Sequence, residues 1–290
     1  MNKLFCFGIG FTGLKTCEYF YDQNWISSGT TRDKNKKVNP NIELIEYNPS
    51  EGKIYLGESL ANSKILLISI APDKNGDIIL KSNYDDIANA LETSVKRVIY
   101  LSTTAVYGDA NGSSVDEKYR INPKSDRAKN RIFAEKQWTD LCNKCDVTLN
   151  ILRLSGIYGT GRNQIRNLIN GKAKRIIKKG HVFNRIHVTD IARIIYMLSV
   201  SGIKSDIFNI SDDMPAPPQD VVEFAARLLN IDPPEPIKFS DASLSEMARS
   251  FYSETKYIRN DKIKEKLDLR LKYPNYKQGL KDILEEELNR

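Results

Sequence analysis

The stretch FCFGIGFTGLKTCEYF, residues 5–20, sets Gly8, Gly10 and Gly13 between an apolar run of strand length and a helix-patterned segment over residues 12–22. Few local patterns restrict a fold as strongly. The first glycine permits a tight turn, the second allows backbone amides to approach a pyrophosphate, and the third lets helix and strand pack closely. The amides at the start of the helix then face negative charge. Strand before and helix after are the context this spacing needs, so it predicts a dinucleotide site at the very start of the chain.

The alternation of strand and helix continues downstream. NWISSGT, IELIEY, KILLISI and KRVIYLS are strand-length apolar runs; a helical pattern around DDIANALET lies between the last two, and a longer helix precedes VTLNILRL. Near-continuous apolar strands separated by helices indicate a parallel sheet covered on both faces. With right-handed crossovers this is an α/β, doubly wound Rossmann fold. Beyond Leu154 the strands shorten and proline-rich joints appear, as in MPAPPQDVVEFAARLLN and DPPEP. The expected organisation is therefore a dinucleotide-binding domain over 1–154 and a smaller, partly interleaved substrate lobe over 155–290.

The end of the second strand selects the cofactor. An acidic residue there binds the ribose hydroxyls of NAD, whereas a cation accommodates the extra phosphate of NADP. This chain reads SSGTTRDKNKK, with Thr31 and then Arg32, and Asp33 one step late. NADP is expected in preference to NAD, with Arg32 as phosphate clamp. Phe11, Thr12, Thr31, Ile70 and Ala71 complete the expected cofactor contacts around the three glycines.

The net charge of +7 is uneven: residues 120–185 carry sixteen Lys and Arg against four Asp and Glu, leaving the rest of the chain at −5. A concentrated basic segment suggests an anionic ligand. No helix-turn-helix, zinc-finger or RNP pattern supports nucleic acid, so an anionic small molecule is the expected partner. No run has the length of a membrane span. The first apolar run meets glycines within a few residues, unlike a secretory signal, which predicts a cytoplasmic chain. Cys142 and Cys145 form a lone C-x-x-C without a second ligand pair, so they are expected as structural thiols, with no metal site.

The segment SDRAKNRIFAEKQW, residues 125–138, reads as an amphipathic helix. At 100° per residue, Arg127 and Arg131 share the stripe of Ala134, Trp138, Leu141 and Cys145. This predicts that both cations point inward. Ile132 and Phe133 lie off that stripe and suggest a second covered face, hence a homodimer through the 125–145 helix.

VIYLSTTAVYGD and NPKSDRAKNRIFAE stand at a spacing that resembles the extended branch of the short-chain dehydrogenase/reductase family, the nucleotide-sugar epimerases and dehydratases. ILRLSGIYGTG and RIHVTDIARII resemble its next elements, and IFNISDDMPAPPQDVVEFAARLL with YPNYKQGLKDIL extends the likeness to a divergent, YeeZ-like atypical group. The resemblance implies that Thr103 matches the catalytic Ser/Thr and that Glu135 matches a trailing glutamate. Arg127 stands where the family has its catalytic tyrosine, and Arg131 where it has the partner lysine. A guanidinium keeps its proton at physiological pH and cannot alternate between acid and base. General acid–base catalysis contributes roughly 10²–10⁴ in rate, so the standard mechanism is disabled. Fixed positive charge can still stabilise a developing alkoxide, and Arg131 is expected to contact the cofactor in lysine's place, beside Thr103.

Tyr107, Tyr119 and Tyr158 lie near the expected cleft; Tyr119 is the candidate proton source. Arg162 and Arg185 are candidate ligands for a diphosphate or carboxylate. Two functions are therefore expected: an NADP(H)-binding oxidoreductase or epimerase-like protein acting on an anionic, nucleotide-sugar-like substrate, or a catalytically silent dinucleotide sensor.

Overall fold

The structure is a computed structural model and describes residues 2–48, 52 and 54–290. In chain order its first elements are β1 (Lys3–Phe7), α1 (Phe11–Asp22), β2 (Ile26–Thr31), β3 (Ile42–Glu46), α2 (Gly57–Ala61), β4 (Ile65–Ile68), α3 (Ile78–Thr93) and β5 (Arg97–Thr103). Then come β6 (Ser114–Val115), α4 (Asp126–Lys144), β7 (Thr148–Leu154), β8 (Gly156–Tyr158), α5 (Gln164–Ile169), β9 (Arg175–Ile177), β10 (Arg185–His187), α6 (Val188–Val200) and β11 (Asp206–Ile210). The chain ends with α7 (Pro218–Leu228), β12 (Pro236–Lys238), α8 (Glu246–Phe251), β13 (Tyr257–Ile258), α9 (Asp261–Leu267) and α10 (Tyr276–Leu288).

The chain divides into two compact units: Met1–Val106, Pro123–Arg153 and Ile191–Phe208 form one, and Tyr107–Asn122, Leu154–Asp190 and Asn209–Arg290 the other. The large sheet runs β11-β7-β5-β4-β1-β2-β3. The pairs β1–β2, β1–β4, β4–β5 and β2–β3 are parallel, with Leu4 opposite both Ser27 and Ile65. All four residues of β4 are buried, as are all of β5 except Thr103. Strands this apolar need cover on both faces, which the helices supply. The chain order of the strands reverses between β1 and β4, and such a reversal opens a crevice at the carboxyl ends of the strands.

The starts of α3 and α4 are fixed by side chains. The Asp77 carboxylate accepts from the Ile79 and Leu80 amides at the start of α3, and Ser125 Oγ accepts from the Ala128 amide at the start of α4. Trp138, fully buried in α4, donates from its indole nitrogen to Asp77 at 2.9 Å, joining the two helices. Beside it lies a buried polar trio. Ser102 Oγ donates to Glu135 at 2.5 Å, and Arg153 grips the same carboxylate through Nε at 3.2 Å and Nη2 at 2.8 Å. Arg153 on β7 is thus tied to α4, and α4 to the end of β5.

The second unit is built from short parallel strand pairs, β8–β10, β9–β12 and β6–β13. An apolar cluster includes Ile165, Val221, Ala225, Leu280 and Ile283 from α5, α7 and α10. Glu287, buried near the end of α10, accepts from Asn163 Nδ2 at 2.6 Å and Arg166 Nε at 2.7 Å. No helix among the described residues is long and apolar enough to cross a membrane.

The trio gives a stability expectation. Arg153→Met leaves Glu135 buried with only a serine partner, and breaking a buried pair in this way typically costs about 3–5 kcal/mol. A loss of that size in chemical denaturation is expected; a variant unfolding at the wild-type midpoint would remove the trio from the fold's supports.

Candidate functional site

The glycine turn occupies the carboxyl end of β1, at the reversal of strand order. Gly8 has φ +97°, a left-handed value that favours glycine, and a Cβ there would lie 2.7 Å from Ile70 Cγ1. Gly13 sits so close to β1 that a Cβ would overlap the Gly8 carbonyl oxygen and lie 2.9 Å from Cys6 Sγ. Gly10 differs: it is exposed, and an added Cβ would meet nothing within 4 Å. The turn is thus closed beneath Gly8 and Gly13 and open above Gly10, the side on which a ligand would approach.

The turn's own amides are held internally. The Gly8 amide donates to Thr30 Oγ1 at 2.9 Å, the Ile9 amide to Thr30 O at 2.7 Å, and the Gly10 amide to Gly8 O at 2.8 Å. Helix α1 begins at Phe11 with no side-chain cap and no acidic residue in its first turn. Its positive end, around Phe11, Thr12 and Gly13, is the part of the turn suited to phosphate. Ile70, packed on Gly8, and the exposed Ala71 follow β4 on the neighbouring strand end.

Beyond β2, Thr31 is half-buried and Arg32 exposed; no ion pair engages Arg32 among the described residues. Asp33 spends one carboxylate oxygen on the Asn35 amide at 3.0 Å. Lys36, which the sequence pattern did not single out, folds back so that Nζ donates to the Ile9 carbonyl at 2.9 Å. A second cation therefore stands at the glycine turn itself. Its position in a run of lysines gave no signal of this, because the fold-back depends on the path of the loop.

At the end of β5, Thr103 is half-buried and its hydroxyl accepts from the Ala105 amide at 3.2 Å. Arg131 is half-buried against the same strand, donating from Nη1 to Leu101 O at 2.6 Å and to Tyr100 Oη at 3.3 Å. Its guanidinium carbon lies 5.7 Å from the Tyr100 ring centroid. The Tyr100 hydroxyl is pushed well above its ordinary range by burial, against the pull of the Arg131 charge. Arg131 and Thr103 thus share one strand end. Glu135, four residues on, is held by Arg153 and Ser102 rather than by Arg131.

Arg127 corrects the expectation of two inward cations: it is exposed, and Ala128 is the buried residue of the first turn. The helical wheel gives the direction of a side chain but not its cover, and Arg127 occupies the terminal turn of α4. The remainder of the stripe is as expected for Ala134, Trp138 and Leu141, with Cys142 buried and Cys145 half-buried. Phe133 is exposed and Ile132 half-buried. Burial pushes the Cys142 thiol up to about 12, far from a reactive thiolate. Among the described residues no group of three or more His, Cys, Asp or Glu is placed to hold a metal ion.

In the second unit, Tyr119 is half-buried, edge-on to Tyr107 at 6.3 Å between centroids. Tyr107 is buried, and its hydroxyl donates to Asn209 Oδ1 at 2.7 Å, a packing role. Arg162 is exposed, whereas Arg185 is buried. Asp190 is tied to the chain before α10, accepting from the Lys272 and Tyr273 amides at 2.7 and 2.8 Å. Asp212 is buried; Oδ1 accepts from the Met214 amide at 3.1 Å and Oδ2 has no hydrogen-bond partner. Burial raises its pKa from 3.8 to about 8.

A sheet whose strand order reverses beside an uncapped helix and a glycine turn defines a Rossmann-type dinucleotide-binding protein. The sequence model of the NAD dependent epimerase/dehydratase family matches residues 80–211. Protein YeeZ of Escherichia coli (strain K12) is 30% identical over 184 residues, which cover 61% of this chain and 64% of YeeZ, just under two thirds of its length. A conserved protein of Silicibacter pomeroyi DSS, described as functionally unknown, is 39% identical with a TM-score of 0.86, covering 99% of both chains. The dTDP-glucose 4,6-dehydratase of Bacillus anthracis str. Ames, solved in complex with NAD, has the same fold at 19% identity and a TM-score of 0.77, covering 100% of this chain and 97% of its own. Residues 80–211 thus carry the NAD dependent epimerase/dehydratase family pattern, and the 184 aligned residues are similar to protein YeeZ.

Two expectations separate the turn's roles. Gly13→Ala should lower the melting temperature by several degrees, because the methyl meets backbone. Gly10→Ala should melt like wild type yet bind dinucleotide at least tenfold more weakly in calorimetry; retained affinity would place the pyrophosphate elsewhere.

Asp212 gives a pH dependence. A carboxyl raised in the folded state contributes stability that is present below about pH 4 and lost as pH rises towards 8. Asp212→Asn should therefore gain melting temperature over wild type progressively between those values, and a pH-independent difference would show that the carboxyl is not held neutral.

Proposed function

We propose that this chain binds NADP(H) in preference to NAD(H) and acts as an atypical reductase or epimerase-like protein on an anionic substrate. The observation carrying the cofactor preference is the end of β2. No carboxylate stands at Thr31 or Arg32, Asp33 is engaged by Asn35, and Lys36 is held at the glycine turn. An acceptor for ribose hydroxyls is replaced by two cations. Gly8, Gly10, Phe11, Thr12 and Gly13 would hold the pyrophosphate, with Ile70 and Ala71 beside the turn.

When bound, the nicotinamide group supplies hydride chemistry. On the protein's side, Arg131 offers a fixed positive charge and Thr103 a hydroxyl at the same strand end. Fixed donors stabilise negative charge as it develops on an oxygen. Arg127, exposed at the start of α4, offers a mobile cation to an anionic substrate. The proton must come from elsewhere, from solvent or from a group of the substrate.

The pinning of Arg131 by Leu101 favours a second reading. An arginine occupied by a backbone carbonyl is suited to holding ribose or phosphate without chemistry, which describes a catalytically silent sensor. Cofactor turnover with a panel of anionic carbonyl and nucleotide-sugar substrates distinguishes the two; tight NADP(H) binding with no turnover across the panel selects the silent reading.

The cofactor preference is tested by thermal shift. Ligand at a hundred times its dissociation constant stabilises by about 2.7 kcal/mol, so NADP(H) should raise the melting temperature more than NAD(H) at equal concentration. Arg32→Ala and Lys36→Ala should each narrow that gap. A larger shift with NAD(H), or variants that leave the gap unchanged, would overturn the preference.

A further inference from the structure

Arg185 in β10 is 9% exposed, and no carboxylate pairs with it among the described residues. Its two hydrogen bonds both leave from Nη1, to Phe183 O at 2.8 Å and Ala216 O at 3.0 Å. The guanidinium carbon lies 5.2 Å from the centroid of the Phe183 ring and 5.9 Å from that of Tyr276. Aromatic rings therefore lie against the group, and one terminal nitrogen is occupied by carbonyls. The in-plane edge formed by Nε and Nη2 makes no hydrogen bond among the described residues.

That edge has a definite chemistry. Its two N–H bonds run parallel, at the separation of the two oxygens of a carboxylate, and such pairs are the strong, oriented form of arginine recognition. A buried cation without an anion is costly to maintain, and two carbonyl oxygens offset only part of that cost. The nearby carboxyl does not bridge: Asp212, in the same unit, keeps its own Oδ2 without a hydrogen-bond partner rather than bonding to Arg185. Burial raises the Asp212 carboxyl to about 8, and although its charge and that of Arg185 favour one another, no hydrogen bond joins the two groups. His181, buried in the same unit, has its Nε2 without a hydrogen-bond partner; burial and the nearby Lys178 and Arg185 charges lower its pKa to about 4.

We infer that the second unit contains a built binding site for a small organic carboxylate, held by the Nε–Nη2 edge of Arg185 between Phe183 and Tyr276. The aromatic setting favours a carboxylate on a planar or apolar body. A phosphate is a poorer fit, since a planar two-donor edge matches two oxygens and leaves the third without a hydrogen bond from Arg185. A carboxylate held here narrows the class of anion in the proposed function, and the site rests on that proposal for its biological role alone. Binding is tested without any dinucleotide, so failure here and failure of the cofactor preference are separately visible.

The test uses the full chain and four probes: benzoate, 2-oxobutyrate, uncharged benzamide and inorganic phosphate. In wild-type protein labelled with nitrogen-15, the Arg185 Nε–H resonance, assigned by its loss in Arg185→Lys, should move on titration with benzoate or 2-oxobutyrate and stay still with benzamide. Arg185→Lys retains the charge and removes the two-donor edge, and should weaken carboxylate binding at least tenfold in calorimetry. Should that variant misfold, the resonance is assigned instead by through-bond connectivity in the wild-type protein and its titration still decides, with Phe183→Leu as a second variant expected to weaken benzoate several-fold. The site is overturned by an Arg185 resonance that ignores both carboxylates, by equal affinity in a folded Arg185→Lys protein, or by phosphate binding more tightly than either carboxylate.

Discussion

The approach of α1 to β1 is the constraint on which the rest of the first unit depends. It is made by absence: at Gly13 there is no side-chain atom between the helix and the Gly8 carbonyl. The helix consequently starts directly over the end of β1 and directs its uncapped amides to the point where strand order reverses. Thr30 then ties the turn to β2 through two hydrogen bonds. A single methyl at Gly13 would displace helix, turn and the neighbouring strand end together, because close-packed interiors transmit such strain.

Charge is distributed by a related logic. Where the polypeptide needs a permanent buried pair it supplies one completely, as with Glu135, whose two oxygens are taken up by Arg153 and Ser102. Elsewhere cations are left to backbone carbonyls: Lys36 at Ile9, Arg131 at Leu101, Arg185 at Phe183 and Ala216. A carbonyl orients a cation without neutralising it. Each of these side chains is held in place while its charge stays available to an anion. That arrangement is consistent with the surplus of basic residues between 120 and 185, although Lys36 lies outside that segment.

Much of the architecture was legible because it rests on local pattern. The six apolar runs through VTLNILRL became β1 to β5 and β7, and the three glycines took the turn, the open face and the close contact that their spacing implies. The candidate site was legible only in part. Helical periodicity placed Arg131 and Trp138 correctly on the packed side of α4, but it carries no information about what covers the first turn, so Arg127 was misjudged. The fold-back of Lys36 and the lack of a side-chain hydrogen bond between Arg185 and Asp212 are products of loop path and long-range packing. Neither leaves a spacing that a one-dimensional reading can detect.

The Glu135–Arg153–Ser102 trio has a consequence for how this chain could acquire or lose chemistry over evolutionary time. It fastens α4 at its midpoint to β7 and to the end of β5, so the helix cannot slide to accommodate a new side chain at 127 or 131. Substitutions there meet a fixed frame, although one at 131 also removes the hydrogen bonds to Leu101 O and Tyr100 Oη. The helix therefore behaves as an interchangeable mount, on which a proton-transferring pair or a pair of permanent cations can be installed without rebuilding the scaffold around it.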